Sequence, residues 1–554
     1  MTSQSYAKGD TTPPLIEQTI GDFFDAMVAR QPDRDALISR HEGQRFTYRE
    51  LQAASNQLAS ALLKTGLLPG DRIGIWSHNN AAWVLMQIAT AKAGLILVNI
   101  NPAYRTAEVE YALNKVGCKA LVAMPRFKTS EYLGMLRELG ASAKLPQLKN
   151  IWWIDRTGDA DEAGAQRFSA LLAAGNADDP RIDAIAAALQ ASDAINIQFT
   201  SGTTGFPKGA TLTHRNILNN GFFIGECMKL TPADRLCIPV PLYHCFGMVL
   251  GNLACLTHGC AIVYPNDGFD PLTVLETVQA EKCTGLHGVP TMFIAELEHE
   301  RFGEFDLSTL RTGIMAGSPC PIEVMKRVVD KMHLSEITIA YGMTETSPVS
   351  CQSAADTPLA KRVSTVGTVQ PHLEVKIIDP ESGAVVARGE RGELCTRGYS
   401  VMHGYWDDEA RTREAIDAEH WMHTGDLATM DAEGYVNIVG RIKDMVIRGG
   451  ENIYPREIEE FLYRHPKVQD VQVVGLPDKK YGEELCAWII PKPGQALTAD
   501  EVREFCKGQI AHYKVPKYIR FVKEFPMTVT GKIQKFKIRD EMKALLKLDE
   551  EKTA

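Results

Sequence analysis

The chain has 554 residues, more than the about 250–300 that one hydrophobic core can organise, so we expect at least two domains. Hydrophobic residues make up 45% and charged residues 23%, which is ordinary for a globular protein and argues against a disordered or collagen-like chain. A net charge of −9 disfavours nucleic acid as a partner, because affinity for a phosphate backbone depends on clustered Lys and Arg.

Two apolar stretches, residues 84–100 and 246–263, are interrupted by Lys92 and His258 and are shorter than the about 20 residues that a membrane-spanning helix needs. We interpret both as buried core and expect no integral membrane segment. The amino terminus has neither a secretion nor a transit pattern, and the twelve cysteines lack the spacing of zinc ligands. We therefore expect a cytoplasmic protein whose cysteines are reduced and mostly buried.

Helical and strand patterns alternate from residue 21 onward. Residues 51–63 and 81–93 have the apolar spacing of helices, whereas residues 72–76 have the pattern of a strand. This alternation predicts an α/β domain. Residues 158–194 are rich in Ala, Asp and Gly, and we expect surface loops and one exposed helix there.

The segment FTSGTTGFPKGA, residues 199–210, is the most informative part of the sequence. It connects two predicted strands, 194–199 and 210–213. Glycines let backbone N–H groups point into a concavity, and hydroxyls and an ammonium add donors for phosphate oxygens. The residues predicted to bind phosphate are Thr200, Ser201, Gly202, Thr203, Thr204, Gly205 and Lys208. Glycine follows the lysine where a Walker loop has Ser or Thr, which excludes a Walker loop.

The carboxyl-terminal part of the sequence has two further regions. Residues 363–439 are dense in strand patterns, such as 374–378 and 392–397, and predict a β-rich subdomain. Beyond residue 441 we expect a small α+β domain with helices at 455–463 and 500–507 and strands at 468–474 and 484–490. The predicted domains are residues 1–440 and 441–554, with the boundary at GRIKD.

The loop at 199–210 and five later motifs resemble the adenylate-forming (AMP-binding) superfamily of acyl-CoA synthetases, luciferases and peptide-synthetase adenylation domains. The motifs are YGMTET at 341–346, GELCTRG at 392–398, WMHTGD at 421–426, GRIKDMVIRGGENIYPREIE at 440–459 and KVPKYIRFVKEFPMTVTGKIQK at 514–535. The resemblance covers nearly the whole chain and follows the family's order. It implies a large α/β domain, a small mobile carboxyl-terminal α+β domain, and an ATP-dependent ligase that forms an acyl-adenylate and then an acyl-CoA.

The same resemblance implies roles in the nucleotide site. Tyr341 would lie against adenine, Thr344 would contact the α-phosphate, and Glu345 would bind Mg²⁺. Asp426 resembles the residue that accepts hydrogen bonds from both ribose hydroxyls, and Arg441 resembles the arginine that supports the ribose and phosphate. A carboxylate suits both a hard cation and a pair of hydroxyl donors.

Three residues beyond 441 have implied roles in the two half-reactions. Lys532 matches the family's catalytic lysine, and a flexible ammonium can offset the repulsion between a carboxylate and the α-phosphate. The family rotates its carboxyl-terminal domain between adenylation and thioester formation, and Lys443 occupies the hinge position. Gly450 would allow the pantetheine of coenzyme A to approach the backbone in the second state.

The motif PLYHCFG, residues 241–247, indicates which class of carboxylic acid is the substrate. Amino-acid-activating relatives have an Asp here, and its replacement by Tyr243 and His244 disfavours an amino acid as substrate. The resemblance places His244 near the substrate carboxylate and lines the acyl pocket from 287–293 and 316–320, which includes Gly317. Similarity of INIQFTSGTTG, GVPTMF and AGSPC to the medium-chain branch predicts a medium-chain fatty acid.

Other hypotheses remain open at this point. A ligase for an aryl, branched or short acid, or a fatty acyl-AMP ligase that serves a carrier protein, would have the same motifs. A non-catalytic ATP-binding sensor is disfavoured because Lys532, Glu345 and Asp426 are of the catalytic residue type. The partners we expect are a small carboxylic acid, ATP and coenzyme A, and whether the chain forms a homodimer is left open.

Overall fold

The computed structural model of the chain describes residues 4–548 except 128, 157, 163, 201–206, 319, 450, 508 and 529–531. The α-helices of this part, numbered in chain order, are α1 (Ile20–Arg30), α2 (Tyr48–Lys64), α3 (Ala81–Ala93), α4 (Thr106–Lys115), α5 (Tyr132–Ala141), α6 (Phe168–Ala173), α7 (Pro180–Ala186), α8 (His214–Cys227), α9 (Ala254–His258), α10 (Pro271–Glu281), α11 (Pro290–Leu297), α12 (Ile322–Lys331), α13 (Leu359–Ser364), α14 (Glu409–Ala415), α15 (Pro455–Leu462), α16 (Ala499–Cys506) and α17 (Lys535–Leu546).

The strands of the same part are β1 (Tyr6–Lys8), β2 (Asp35–Ser39), β3 (Gln44–Thr47), β4 (Arg72–Trp76), β5 (Ile96–Ile100), β6 (Ala120–Ala123), β7 (Arg126–Phe127), β8 (Ser130–Glu131), β9 (Asn150–Trp153), β10 (Gln166–Arg167), β11 (Ala194–Thr200), β12 (Lys208–Thr213), β13 (Arg235–Cys237), β14 (Ala261–Tyr264), β15 (Gly285–Gly288), β16 (Thr312–Met315), β17 (Glu336–Gly342), β18 (Val349–Gln352), β19 (Thr368–Val369), β20 (Leu373–Ile378), β21 (Gly392–Gly398), β22 (Gly404–Tyr405), β23 (Met422–Met430), β24 (Val436–Arg441), β25 (Val446–Arg448), β26 (Glu451–Ile453), β27 (Val468–Asp478), β28 (Gly482–Pro491) and β29 (Tyr518–Phe521).

Two large sheets form the body of the molecule. The first has the strand order β10-β9-β6-β4-β5-β11-β12-β22, and its strands from β10 to β11 are parallel. The second has the order β19-β18-β17-β16-β15-β13-β14-β2-β3, and its strands from β17 to β2 are parallel. Parallel sheets need crossover helices, which cover their faces. The predicted α/β fold is confirmed.

A third, antiparallel sheet has the order β1-β20-β21-β23-β24. It is the β-rich subdomain that the sequence predicts, and the predicted strands 374–378 and 392–397 are parts of β20 and β21. The sheet brings Asp426 on β23 directly opposite Arg441 at the end of β24. Strand register thereby fixes Asp426 of the WMHTGD motif opposite Arg441 of the GRIKD motif.

The carboxyl-terminal sheet contains β26, β25, β28 and β27 in that order, with β29 beside β28. Helices α15 and α17 pack on β27, which gives the predicted α+β arrangement. Two hydrophobic clusters lie entirely within residues 446–548. The position of the domain boundary at residue 440 stays a prediction.

Local sequence signals explain why several predicted helices form. Helix α2 begins at a capping box, in which the Thr47 hydroxyl accepts from the Glu50 N–H and the Glu50 carboxylate accepts from the Thr47 N–H. The predicted helix at 81–93 is α3, and all of its side chains are buried. Lys92 is compatible with that burial because its ammonium donates to Asp25 Oδ1 at 2.5 Å.

The second apolar stretch forms a π-helical segment, Phe246–Leu253, followed by α9 and β14. Both apolar stretches are core, as the sequence predicts. Within the described residues, none of the helices combines the length and apolar character required to cross a membrane. Eleven of the twelve cysteines are buried, Cys227 is half-buried, and all are free thiols.

Two regions differ from the sequence prediction. Residues 158–194 contain two short helices, α6 and α7, instead of one exposed helix, because Phe168, Leu171 and Ile182 bury apolar side chains. Strands β27 and β28 extend beyond the predicted 468–474 and 484–490, since their antiparallel pairing continues as far as Asp478 opposite Gly482. Such pairing depends on the partner strand and leaves little trace in either segment alone.

Candidate active site

The predicted phosphate loop joins β11 to β12, which pair antiparallel with Thr200 opposite Lys208. The prediction that the loop connects two strands is confirmed. Of the predicted phosphate-binding residues, Ser201, Gly202, Thr203, Thr204 and Gly205 lie outside the described residues. The two strands fix both ends of the loop, so Thr200 and Lys208 face one region of the molecule.

Glu345 lies beside the base of this loop, in a short 3₁₀ segment that follows β17. Its carboxylate is buried, and Oε1 accepts hydrogen bonds from Thr200 Oγ1 at 3.1 Å and from the Tyr405 hydroxyl at 2.9 Å. Burial and the neighbouring Glu345 charge raise the pKa of Tyr405, so this phenol is a neutral donor. Lys208 Nζ lies 4.3 Å from the centre of the Tyr405 ring, which links the loop lysine to the same group.

Tyr405 is a site residue that the sequence analysis does not single out. It lies in β22, a two-residue strand that pairs with β12 and thereby reaches the phosphate loop. A two-residue strand has no recognisable periodicity. The signal that could have found it is the aromatic pair Tyr405–Trp406 close behind the GELCTRG motif.

Asp426 is held by two of the residues that the sequence predicts for the nucleotide site. Its Oδ2 accepts from the Tyr341 hydroxyl at 2.7 Å, and its Oδ1 accepts from Arg441 Nε at 2.9 Å. Burial first, and the Asp426 charge second, raise the pKa of Tyr341 well above its usual range, so the phenol donates to the carboxylate. The structure thus fixes the orientation of a buried carboxylate from both sides.

Thr344 is buried directly before Glu345, and its side chain lies close to the thiol of Cys245. Burial raises the pKa of that thiol to about 12, and its Sγ donates to Gln198 Oε1 at 3.0 Å. Cys245 is therefore a neutral donor and is no nucleophile at neutral pH. Its place beside Thr344 brings the PLYHCFG and YGMTET motifs together.

Lys532 reaches this site from the carboxyl-terminal part of the chain. A Cβ atom added to Gly317 would lie 4.0 Å from Lys532 Cε. Burial first, and then the Arg441 charge, lower the pKa of Lys532, while Cys245, Glu345 and Asp426 act in the opposite direction. Lys532 therefore lies near both Glu345 of the YGMTET motif and Asp426 of the WMHTGD motif.

The backbone of Lys532 makes two hydrogen bonds with Thr528. The Thr528 N–H donates to the Lys532 carbonyl at 2.8 Å, and the Lys532 N–H donates to Thr528 Oγ1 at 3.1 Å. The intervening residues 529–531 lie outside the described part of the chain. These two hydrogen bonds join the backbone of Lys532 to Thr528.

His244 is also within the electrostatic influence of Lys532. Its Nδ1 accepts from the Phe246 N–H at 3.2 Å, so the neutral ring carries its proton on Nε2. Burial first, and the Lys532 charge second, lower the pKa of His244 to about 3. The imidazole is therefore neutral across the physiological range and can donate one hydrogen bond to an anion.

Gly317 adopts a positive φ of 89° after β16, a conformation that side chains disfavour. A Cβ at this position would lie 3.1 Å from Val289 Cγ1 and 3.9 Å from Phe246 Cδ1. Gly317 therefore lies near Val289 and Phe246 as well as near Lys532. That residues 287–293 and 316–320 line an acyl pocket stays a prediction.

The two remaining predicted residues lie in the connection from β24 to β25. Lys443 is exposed and occupies a single 3₁₀ turn, Ile442–Asp444. Gly450 lies outside the described residues. Its neighbour Gly449 has a φ of 61°, and its N–H donates to the Tyr481 carbonyl at 2.8 Å.

Comparison with known families explains this combination of motifs. Residues 24–406 match the model of the AMP-binding enzyme, and residues 457–532 match that of the AMP-binding enzyme C-terminal domain. The chain belongs to the AMP-binding enzyme family. The predicted class, an AMP-forming ATP-dependent acid–CoA ligase, is confirmed by this membership together with the relatives described next.

Three relatives illustrate how far the similarity extends. The putative acyl-CoA synthetase YngI of Bacillus subtilis (strain 168) is 48% identical over 95% of this chain and 97% of its own length. The mitochondrial medium-chain acyl-CoA ligase ACSF2 of Homo sapiens is 44% identical over 98% of this chain and 91% of its own length. The crystal structure of the anthranilate CoA ligase AuaEII in complex with anthranoyl-AMP matches with a TM-score of 0.87, 27% identity and coverage of 97% and 99%.

Proposed function

We propose that this ligase activates a medium-chain fatty acid as its acyl-adenylate and transfers the acyl group to coenzyme A. The observation that carries the proposal is the position of Lys532 beside Gly317, within the electrostatic influence of Glu345 and Asp426. This arrangement corresponds to the state that performs adenylation. The lysine is there when the acid and ATP react.

In the first half-reaction a carboxylate oxygen attacks the α-phosphorus of ATP, the new P–O bond forms, and pyrophosphate leaves. Both reactants are anions, so the site must offset their repulsion while it aligns them. The Lys532 ammonium supplies positive charge between them, and the neutral His244 ring supplies a donor on the acid side. The loop that starts at Thr200 and ends at Lys208 supplies donors for the phosphates.

The nucleotide is oriented by Asp426, whose carboxylate is already fixed by Tyr341 and Arg441. Each carboxylate oxygen has a second lone pair, so both ribose hydroxyls can donate to it without displacing the protein donors. Preorganisation of this kind lowers the entropy that binding costs. Arg441 adds positive charge close to the phosphates.

Glu345 fits a Mg²⁺ ligand, because its two hydrogen bonds to Thr200 and Tyr405 both use Oε1 and the carboxylate is buried next to the phosphate loop. Bound there with ATP, Mg²⁺ would neutralise phosphate charge. The two hydroxyl donors hold the carboxylate in one orientation. Mg²⁺ is thus part of the proposal, with Glu345 as its protein ligand.

In the second half-reaction the sulfur of coenzyme A attacks the acyl carbon, the bond between that carbon and AMP breaks, and the thiol proton passes to solvent. We assign the hinge to Lys443 and the approach of pantetheine to Gly450, as the sequence predicts. The exposed position of Lys443 between β24 and β25 supports a rotation at this point, because its side chain has little packing to lose.

The medium-chain preference rests on two supports. Val289 and Phe246 form an apolar wall next to Gly317, suited to methylene groups. The 44% identical human relative ACSF2 is a medium-chain acyl-CoA ligase. An aryl acid is the second candidate, favoured by the anthranoyl-AMP in the similar crystal structure.

Two further expectations belong to the proposal. We propose a cytoplasmic location, supported by twelve free cysteines that suit a reducing compartment. The predicted division into domains 1–440 and 441–554 follows from a hinge at Lys443. The sequence leaves open whether the chain forms a homodimer. Light scattering of the purified chain would measure its oligomeric state.

The proposal is tested by pyrophosphate release over a panel of straight-chain acids from acetate to stearate, with benzoate and anthranilate as aryl acids. The value of kcat/KM should rise up to about fourfold per methylene and peak at about six to twelve carbons, because each buried methylene contributes up to ~0.8 kcal/mol. A peak at acetate or at an aryl acid would overturn the medium-chain assignment. Acyl-AMP that accumulates without acyl-CoA when coenzyme A is present would instead support a carrier-protein acceptor.

A further inference from the structure

The β-rich sheet carries a group of side chains that the ligase reaction does not use. Glu393 and Cys395 lie two residues apart on β21, and His423 on β23 is the register partner of Cys395. Residues two apart on a strand share one face of the sheet. In the described part of the chain these three residues form the one cluster of at least three His, Cys, Asp or Glu side chains whose candidate ligand atoms all lie within 4.8 Å of one another.

We infer that Glu393, Cys395 and His423 bind a zinc ion. His423 Nδ1 lies 3.6 Å from Cys395 Sγ and 3.0 Å from Glu393 Oε2. Tetrahedral zinc with bonds of about 2.0–2.3 Å separates its ligand atoms by about 3.3–3.6 Å. The sulfur–nitrogen distance already has this value, and the oxygen–nitrogen distance needs to open by about 0.4 Å.

The chemistry of the three side chains selects zinc. Thiolate and imidazole ligands favour Zn²⁺, whereas Mg²⁺ prefers oxygen ligands and keeps several waters. Cys395 and Glu393 are buried, while the His423 side chain is 31% exposed, which leaves an entry path for the ion. The site is therefore distinct in chemistry from the magnesium ligand Glu345.

Groups behind the ligands support the assignment. Asp417 Oδ2 lies 3.6 Å from His423 Nε2, the ring nitrogen that faces away from the cluster. A carboxylate behind a ligating histidine orients the ring and increases its basicity. The second oxygen of Glu393, Oε1, accepts from the Gly425 N–H at 3.0 Å, which orients this carboxylate as well.

Without a metal, the same residues form an ion pair that zinc must replace. Imidazole and thiol bind zinc in their deprotonated forms, so zinc and protons compete for His423 and Cys395.

Zinc would also connect the sheet to the nucleotide site. His423 precedes Asp426 by three residues on β23, and Glu393 holds the Gly425 backbone between them. A bound ion would tie β21 to β23 directly before the residue proposed to bind ribose. Since binding to the folded state stabilises it, zinc should raise the melting temperature.

The test uses the full chain after chelation, without nucleotide and with Mg²⁺ present, because ATP itself binds zinc. Competition with a chromophoric chelator should give one Zn²⁺ per chain. Co²⁺ in its place should produce a thiolate-to-metal charge-transfer band. Cys395→Ser and His423→Gln should each abolish the band and weaken zinc at least about a hundredfold, and Asp417→Asn should weaken it about 10–100-fold.

The matched control is Cys227→Ser, which changes a half-buried cysteine outside the cluster and should leave affinity and band unchanged. Circular dichroism identifies any variant that does not fold, and Cys395→Ser, a one-atom change, keeps the test valid if His423→Gln fails. Absence of stoichiometric zinc binding by the wild-type chain overturns the inference. So does zinc binding that survives both Cys395→Ser and His423→Gln.

Discussion

Asp426 shows how single residues are prepared for a ligand in this molecule. Its carboxylate lies between the Tyr341 phenol and the Arg441 guanidinium, so neither oxygen needs to reorient when a nucleotide arrives. Glu345 has a similar arrangement, with two hydroxyl donors on one oxygen. Both carboxylates are buried, which strengthens each interaction they make.

Replacement of Asp426 by Ala should weaken ATP binding, because the ribose loses two charge-assisted hydrogen bonds that together contribute about 2–4 kcal/mol. Isothermal titration calorimetry should show an increase in Kd of about thirtyfold or more. Tyr341→Phe is the graded control, since it removes one donor to the carboxylate and should change Kd less than tenfold. An Asp426→Ala variant with the wild-type Kd would contradict the ribose role.

At the residue scale, residues from separate motifs lie near one another. Thr200 donates to Glu345, and Lys532 is influenced by the charges of Glu345 and Asp426. The roles that the motifs imply for these residues stay predictions. The partners of these residues were not predictable. Tyr405 reaches Glu345 through a two-residue strand, and the hydrogen bond from Tyr341 to Asp426 depends on how two different sheets meet.

Among the elements, α15 has the clearest connection to the body of the molecule. The Arg391 guanidinium, next to β21, lies 4.4 Å from the centre of the Tyr454 ring and 4.0 Å from Glu457 Oε2. Tyr454 caps α15, and Glu457 lies in its first turn. Arg391 precedes the proposed hinge at Lys443 and α15 follows it, so in the proposed mechanism this contact belongs to the adenylation state.

Arg391→Ala should therefore slow adenylation about two- to fivefold, because the exposed cation–π contact contributes about 0.5–1 kcal/mol and the exposed ion pair adds little. Thioester formation from supplied acyl-AMP should not slow down. Single-turnover measurements of both half-reactions provide the comparison, with Arg413→Ala in α14, an exposed arginine in a helical pair, as the control. Equal loss in both half-reactions would mean that the contact only stabilises the fold.

Helices were easier to predict than strands at this scale. The capping box at Thr47 and the apolar pattern of 81–93 determine α2 and α3 locally. The lengths of β27 and β28 depend on each other, since each extends as far as the other can pair. The same dependence explains why the group of Glu393, Cys395 and His423 has no signature in sequence spacing.

For the whole molecule, the sequence predicts the α/β body, the β-rich sheet and the carboxyl-terminal α+β region in the correct order. Composition and periodicity determine these classes, because each sheet type has its own burial pattern. How the regions face one another is not encoded in periodicity. The position of Lys532 next to Gly317 follows from packing between distant parts of the chain.

Lys532 is proposed to serve adenylation in the arrangement seen here and to withdraw for thioester formation. The decisive measurement is single-turnover kinetics of both half-reactions for Lys532→Ala, with the exposed Lys523→Ala of the same segment as control. Acyl-AMP formation from acid and ATP should fall at least about a hundredfold, as for the loss of one preorganised electrostatic group. Acyl-CoA formation from supplied acyl-AMP should keep the wild-type rate, whereas an equal loss in both half-reactions would contradict the account.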